Sequence, residues 1–160
     1  MNKRIEISIA EQSLKLFDGD RCLRTYEVST GLNGVGEQQD SYCTPRGRHI
    51  IAEKIGAGCE PNTVFVGRRP TGEIYSPALR QAGQDRDWIL TRILWLEGME
   101  EGRNRGGEVD SRNRYIYIHG SPDDVAMGTP GSRGCIRMRN HDVMELFDQV
   151  EVGVPVVISE

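Results

Sequence analysis

The sequence has no apolar run that approaches the ~18 residues needed by a membrane-spanning helix. It also lacks a secretory signal pattern. Charges interrupt its first ten residues, MNKRIEISIA, which hold no unbroken apolar stretch of about 7–15 residues. We therefore expect a cytoplasmic protein that does not bind membranes, or a periplasmic one if the sequence is a trimmed mature form.

Cysteine and histidine are scarce, and neither is arranged as a metal site. The four cysteines form no CxxC pair, and the three histidines form no HExxH pattern. The cysteines are expected to be free thiols of a reducing compartment. The glycine-rich residues 31–36 match neither common phosphate-loop spacing. The sequence thus predicts no metal and no cofactor.

Lysine is nearly absent, since 17 of the 20 basic residues are arginine. The formal net charge of −4 argues against a nucleic-acid partner. Between residues 103 and 139, however, seven arginines stand against four acidic residues. Arginine binds carboxylates through a two-pronged fork. This stretch is therefore either a solvated surface of ion pairs or an anion site, for which Arg103, Arg105 and Arg112 are candidates by charge alone.

The 160 residues fit a single domain, residues 1–160, and 19 glycines favour a turn-rich, strand-heavy fold. Apolar patterning and β-favouring residues predict strands at residues 5–9, 13–17, 22–28, 49–55, 64–66, 88–96, 115–118 and 154–158. A helix is predicted where one face carries Val143, Met144, Leu146, Phe147 and Val150, ending at Gly153. The prediction is a mainly β (α+β) fold with one or two short helices.

Three segments of this pattern surround the residues that can carry chemistry. Residues 98–113 are polar and rich in glycine and arginine, which predicts a long surface loop. Residues 121–124 predict a short helix, because Ser121 can cap it and Pro122 fits its first position. Residues 128–134 predict a second loop, which leads directly into Cys135.

His119 ends a predicted strand and lies 16 residues before Cys135, so the chain can fold back and bring the imidazole to the thiol. Acyl transfer needs a thiolate, and a neighbouring histidine is expected to lower the pKa of a cysteine. The same histidine can act as a base and then as an acid. The backbone amides of Gly134 and Cys135 can point at a developing oxyanion. An isolated Cys/His pair is more often structural than catalytic, so the residues around the pair decide between these two roles.

Those residues are His119-Gly120 and, after a loop, Ser132-Arg133-Gly134-Cys135-Ile136-Arg137. Upstream stand Ser29-Thr30-Gly31 and the run TPRGRHII at residues 44–51. In these motifs the sequence resembles the L,D-transpeptidase catalytic domain, the YkuD-like family of bacterial cell-wall enzymes, over nearly the whole chain. The resemblance implies an L,D-transpeptidase-like β-sandwich.

The resemblance also implies roles for individual residues. Cys135 resembles the nucleophile and His119 its base, oriented by the Gly120 carbonyl or by Ser121. Ser132 is a candidate substrate contact, Arg137 resembles the motif arginine, which is either structural or carboxylate-binding, and Tyr117 is a further candidate for the site. Arg133 departs from the family pattern and is expected to steer an anionic peptide. Many members carry a second histidine at the position of Arg133, and an arginine cannot serve as a base at neutral pH.

The implied substrates are peptidoglycan-derived tetrapeptides or muropeptides, and the implied reaction has two steps. Cys135 attacks the carbonyl of the third stem residue and terminal D-alanine leaves; an amine or water then resolves the thioester. Since no export signal is seen, we expect an L,D-carboxypeptidase of cell-wall recycling. The alternatives are an L,D-transpeptidase that forms 3-3 cross-links or exchanges D-amino acids, and a non-catalytic muropeptide-binding module. The sequence does not indicate an oligomeric state.

Overall fold

A computed structural model describes residues 2–82 and 86–160 of the chain. In these residues one curled sheet of ten strands dominates, which confirms the mainly β class. The strands are β1 (Lys3–Ser8), β2 (Ser13–Asp18), β3 (Arg21–Glu27), β4 (Gly47–Ile55), β5 (Thr63–Val66), β6 (Arg69–Ile74), β7 (Ile89–Gly98), β8 (Tyr117–Ser121), β9 (Ile136–Arg139) and β10 (Pro155–Ser159). Two α-helices accompany them, α1 (Pro77–Ala82) and α2 (Asn140–Gln149).

The order of the strands follows from two parallel and several antiparallel pairings. The main path of the sheet is β3-β2-β1-β10-β4-β7-β5-β6, in which β10 returns to lie parallel to β1. Strands β8 and β9 leave this path, because β8 pairs antiparallel with β7 and parallel with β9. The parallel pair is possible because the 14 residues that connect the two strands form a crossover.

The main core lies between the curled sheet and α2. Alternate residues of β1 and β2, among them Ile5, Ile7 and Leu14, are fully buried because one face of these strands points into the core. Helix α2 buries Val143, Leu146 and Phe147 against β7, β8 and β9, as its periodicity predicts, whereas Met144 is partly exposed.

Some boundaries differ from the sequence-based predictions. Residues 121–124 form the end of β8 and a turn instead of a helix, because the Ser121 hydroxyl bonds to the Met138 carbonyl of the sheet instead of capping. Tyr115 adopts a left-handed φ of 57° and ends a turn, so β8 begins only at Tyr117. Helix α2 ends at Gln149, and Gly153 occupies the following turn with a φ of 94°.

Three elements were missing from the predictions, α1, β6 and β9. Strand β9 does bury Ile136 and Met138, but its four residues are too short a run to show a strand pattern. The other two, α1 and β6, have no buried face: α1 has no buried residue, and β6 is almost entirely exposed. Without a buried face the sequence has no hydrophobic period from which to predict them. None of the helices in the described residues is long and apolar enough to cross a membrane.

A bulge in β7 shapes the part of the sheet that carries the candidate site. The register between β7 and β8 shifts between Leu90 and Ile93, and Thr91 in that bulge has a φ of 76°. A left-handed backbone is strained for a β-branched residue. The bulge bends β7 at the place where Gly120 of β8 crosses it.

Candidate active site

The β8–β9 ladder brings His119 and Cys135 to the same face of the sheet. His119 is paired with Arg137 and Ile118 with Ile136, and both isoleucines are fully buried in the core. Because side chains alternate along a strand, residues 117 and 119 of β8 share the opposite face with Arg137 and with Cys135, which directly precedes β9. The imidazole and the thiol are therefore diagonal neighbours across a parallel pair.

One hydrogen bond fixes the tautomer of His119. The imidazole is buried, and its Nδ1 lies 2.6 Å from the Gly120 carbonyl oxygen. A carbonyl can only accept, so Nδ1 carries the proton and Nε2 is left as the basic nitrogen. Burial lowers the pKa of His119 from its ordinary value, against the opposing effects of the Asp87 charge and the Gly120 carbonyl. The imidazole is therefore neutral at pH 7.

The thiol of Cys135 is held by backbone groups. It donates to the Tyr115 carbonyl at 3.2 Å and accepts from the Tyr117 N–H at 3.3 Å. Burial raises the pKa of Cys135 to about 12, although the Tyr117 amide and the Arg137 and Arg114 charges act in the opposite direction. The resting thiol and imidazole are therefore both neutral. The sequence led us to expect a lowered thiol pKa, whereas burial raises it.

The turn before Cys135 is braced from within by Ser132. Its buried hydroxyl donates to the Cys135 carbonyl at 2.5 Å and accepts from the Gly134 N–H at 3.1 Å. Ser132 thus holds the shape of the turn and presents no hydroxyl to a substrate. Because the Gly134 amide is already bonded, the Cys135 amide is the stronger candidate for an oxyanion donor. Thr44 adds a second brace, since its hydroxyl donates to the Gly134 carbonyl at 2.9 Å.

A polar network supports Gly120 from behind. The Thr91 hydroxyl donates to Asn140 Oδ1 at 2.6 Å and accepts from the Asn62 N–H at 3.0 Å. A Cβ atom on Gly120 would overlap Asn140 Oδ1 and lie 2.6 Å from the Leu90 carbonyl oxygen. Only glycine at position 120 therefore lets β8 pass this close to the bulge in β7. In this position the Gly120 carbonyl bonds to the His119 imidazole.

Two further predicted residues are engaged inside the protein. Ser121 bonds to the Met138 carbonyl at 2.9 Å, so the Gly120 carbonyl is the group that orients His119. Arg137 pairs with Asp87 at 3.3 Å and donates to the Gly131 carbonyl at 3.0 Å. Asp87 had no signal in the sequence, and it becomes part of the site only because the fold places it beside Arg137 and near His119.

Cys135 opens into a cavity of about 350 Å³. Its lining includes apolar Phe65, Ile89 and Ile93 and Asp87, which is paired with Arg137. The lining also includes three arginines, Arg68, Arg114 and Arg133. None of these three forms an ion pair in the part of the chain that the structure describes, whereas eleven other arginines do. The cavity therefore carries uncompensated positive charge beside the thiol.

Arg68 and Arg114 were missed by the sequence analysis, and Arg68 lies outside the arginine-rich stretch altogether. Arg114 is partly buried, and its guanidinium donates to three backbone carbonyls, those of Gly36, Glu37 and Cys43. These carbonyl oxygens accept hydrogen bonds from the Arg114 guanidinium, but because they carry no net charge they do not neutralise it.

A second cavity of about 320 Å³ adjoins the first and shares Asp87 and Arg133 with it. Exposed Leu32 and Tyr42 form part of its lining. Arg133 is exposed and lies at the junction of the two cavities. Its contact with an anionic peptide stays a prediction.

The three arginines proposed from charge alone lie elsewhere. Arg103 and Arg105 pair with Glu100 and Glu101, four residues or fewer away. Arg112 pairs with Glu53 at 2.6 Å and with Glu97 at 2.9 Å. These arginines belong to the solvated ion-pair surface that the sequence also allowed. In the described ranges, 2–82 and 86–160, no group of three or more His, Cys, Asp and Glu side chains is placed to hold a metal ion.

The chain matches the model of the YkuD family, the L,D-transpeptidase catalytic domain, over residues 2–158. It is 27% identical over 156 residues to the YkuD protein of Bacillus licheniformis, covering 98% of this chain and 65% of that protein. Its fold is similar to an L,D-transpeptidase from Mycobacterium smegmatis, with a TM-score of 0.58 and 19% identity over 99% of this chain and 59% of that chain.

A second solved structure, L,D-transpeptidase 3 from Mycobacterium tuberculosis in complex with a faropenem-derived adduct, has a TM-score of 0.61 at 17% identity. The match covers 99% of this chain and 60% of that one. The chain thus spans less than two thirds of the length of each of these three proteins.

Proposed function

The chain belongs to the YkuD family of L,D-transpeptidase catalytic domains, and from this premise we propose that it is a cysteine-dependent acyltransferase that uses water as its acceptor. Its substrates would be peptidoglycan stem peptides, from which it would release terminal D-alanine as an L,D-carboxypeptidase. The observation that carries the acyl-transfer chemistry is the shared face of His119 and Cys135, with Nδ1 of the imidazole fixed by the Gly120 carbonyl.

The first step forms a thioester. As Sγ of Cys135 attacks the carbonyl carbon of the third stem residue, Nε2 of His119 takes the thiol proton. The Cys135 amide stabilises the negative charge on the carbonyl oxygen. When the C–N bond breaks, the imidazolium returns the proton to the departing amine of D-alanine. Because the resting thiol and imidazole are both neutral, this proton transfer accompanies the attack and does not precede it.

The second step uses water. His119 Nε2 takes a proton from the water that attacks the thioester, the C–S bond breaks, and the thiolate recovers the proton. The products are a tripeptide with a new carboxylate and the free enzyme. A cross-linking reaction would need an amine instead, which reaches the site as an ammonium ion at neutral pH. The unpaired charges of Arg68, Arg114 and Arg133 repel that ion but not water, and this supports hydrolysis.

A second candidate is L,D-transpeptidation, with 3-3 cross-links or exchanged D-amino acids as products. The adjoining cavity of about 320 Å³ supports it, because a site that joins the first cavity at Arg133 could hold an acceptor peptide. We also propose a cytoplasmic location, where fragments released from the wall would be the substrates.

The experiment that tests the proposal offers both acceptors at once. Purified protein is incubated with disaccharide-tetrapeptide and a free D-amino acid in water enriched in ¹⁸O, and products are identified by mass. Hydrolysis through a thioester gives a tripeptide with one ¹⁸O atom in its new carboxylate. Dominant exchange or dimer, with no labelled tripeptide, would replace the carboxypeptidase by the transpeptidase. The Cys135→Ala variant is the control: turnover that persists in it rejects the thioester, and bound substrate without turnover in either protein indicates a binding module.

A further inference from the structure

Of the three arginines in the cavity that form no ion pair among the described residues, Arg68 is positioned by its backbone turn and by aromatic rings, with one hydrogen bond from its guanidinium. It lies in the two-residue turn between β5 and β6, where Gly67 and Arg68 have φ values of 56° and 65°. Two consecutive left-handed residues are the pattern of a tight hairpin turn whose twist matches its strands. The backbone of Arg68 is therefore fixed at the mouth of the cavity.

The guanidinium of Arg68 is fixed as well. It lies 5.0 Å from the ring centroid of Trp95 and 4.8 Å from that of Tyr115, and it donates to the Tyr117 hydroxyl at 3.0 Å. Stacking and a single hydrogen bond hold the plane of the fork but leave most of its N–H donors unused. Its hydrogen-bond and ring partners are uncharged, and the acidic side chain whose charge acts on it, Glu53, is paired with Arg112 at 2.6 Å.

This arrangement is what a carboxylate site requires. A planar guanidinium binds a carboxylate through two parallel hydrogen bonds, and prior fixation of the fork reduces the entropy lost on binding. The neighbouring Arg69 provides a contrast, because it lies outside the cavity lining and is exposed.

Tyr117 sets the distance between this site and the reacting atoms. Its N–H bonds to Cys135 Sγ, and its hydroxyl, at the other end of the side chain, bonds to Arg68. The guanidinium is thus removed from the thiol by about the length of a tyrosine side chain. The terminal carboxylate of the leaving residue is joined to the attacked carbonyl by a single residue, about 3.8 Å between Cα atoms, which is a shorter reach than a tyrosine side chain.

We propose that Arg68 binds a free carboxylate at the end of the third residue's side chain, so that the enzyme selects stem peptides whose third residue is a diamino acid with this distal carboxylate. This specificity rests on the proposed acyl-transfer function at Cys135. A lysine at the same position would instead bring an ammonium group towards Arg68, Arg114 and Arg133. The third-residue side chain, not the peptide terminus, supplies the recognised charge.

The test compares four tetrapeptides: one with the distal carboxylate free, one with it amidated, one with lysine as third residue, and one with only the C-terminus amidated. Dissociation constants are measured by calorimetry with the Cys135→Ala protein, and kcat/KM with the active enzyme. Amidation of the distal carboxylate should weaken binding by roughly tenfold to a hundredfold, the range of a charged hydrogen-bonded pair. Lysine should weaken it at least as much.

Variants of Arg68 then assign the effect. Arg68→Gln should bring the ratio between the free and the amidated peptide close to one. Arg68→Lys, which keeps the charge without the fork, should give an intermediate ratio. Arg69→Gln is the matched control on the same hairpin and should keep the wild-type ratio. Circular dichroism checks that each variant is folded.

The outcomes separate this inference from the function on which it rests. Equal binding of the free and amidated peptides, or a ratio that Arg68→Gln leaves intact, would overturn the role of Arg68 even if the enzyme turns over both. If only amidation of the C-terminus weakens binding, the recognised carboxylate belongs to the leaving residue. That result would also overturn the proposed role of Arg68. Absence of turnover for all four peptides would reject the function, and the calorimetric ratios would still decide whether Arg68 binds the carboxylate.

Discussion

The imidazole of His119 donates its Nδ1 hydrogen to the carbonyl oxygen of the next residue, Gly120, at 2.6 Å. In many Cys/His enzymes a side chain performs this orienting task, and here a backbone group does so. The backbone group is in turn held by the close passage of Gly120 over Asn140 and the Leu90 carbonyl. The position of the base therefore depends on how tightly two strands pack at the Thr91 bulge.

Removal of either reacting group should abolish turnover without unfolding the protein. Cys135→Ala eliminates the thioester and should leave no measurable tripeptide. His119→Gln removes the base and should reduce kcat by roughly 10²- to 10⁴-fold. Steady-state assays of D-alanine release measure both. Cys22→Ala, at an exposed thiol far along the chain, is the control and should retain wild-type rates. A His119→Gln enzyme with undiminished kcat would remove the imidazole from the mechanism.

Gly120→Ala should lower kcat more than its effect on stability explains. The added methyl group would press on Asn140 and the Leu90 carbonyl, displacing the carbonyl that orients His119, at a cost of about 1–3 kcal/mol. Gly72→Ala is a suitable comparison, because Gly72 has a φ of 90° but an added methyl group would meet no atom within 4 Å, so it should lose stability while kcat stays the same. Urea denaturation and kcat are measured for both. Equal kcat in the two variants would contradict the orienting role.

The acid limb of kcat/KM should lie below the ordinary histidine pKa of 6.5. The reason is that burial lowers the pKa of His119, so the neutral base persists to lower pH. Asp87 opposes this effect, because its charge raises the pKa of His119. Asp87→Asn should therefore move the limb further towards acid. Rate profiles between pH 4 and 8 measure both positions, and an alkaline shift in the variant would show that another group titrates.

A second buried histidine should make stability depend on pH. His49 accepts from the Ser111 hydroxyl at 2.8 Å and donates to the Gly47 carbonyl at 3.0 Å, and burial lowers its pKa to about 4. Below pH 6.5 the unfolded chain binds a proton that the folded imidazole excludes. The free energy of unfolding therefore falls as pH decreases from 6.5 towards 4, by up to about 3 kcal/mol for this group.

Urea denaturation of the wild type and of His49→Gln at pH 7.5 and 5.5 isolates this contribution, since most carboxylates stay ionised in that interval. The wild type should lose more stability across the interval than the variant. Identical losses in the two proteins would assign the pH dependence to other groups, of which buried His119 is the first to examine.

Local patterns in the sequence were sufficient to predict the candidate catalytic residues. His119-Gly120 and the run from Ser132 to Arg137 are contiguous motifs, and the alternation of Ile5 and Ile7 and the period of α2 reveal which faces are buried. These motifs and periodic patterns are formed by residues that are close together along the chain, so they can be recognised in the sequence alone. The same logic failed for α1 and β6, which have no apolar face to reveal them.

What only the tertiary structure decided is the environment of those residues. Burial reverses the expected effect on the Cys135 thiol, Ser132 turns inward to brace the turn, and the charge-rich stretch at Arg103, Arg105 and Arg112 is neutralised by ion pairs. Arg68 enters the site from a hairpin 67 residues before Cys135 along the chain. The burial of a side chain and its ion pairs depend on which residues lie near it in space. Strand β8 pairs with β7 and β9, and these pairings bring together residues that are far apart along the chain, which no local pattern encodes.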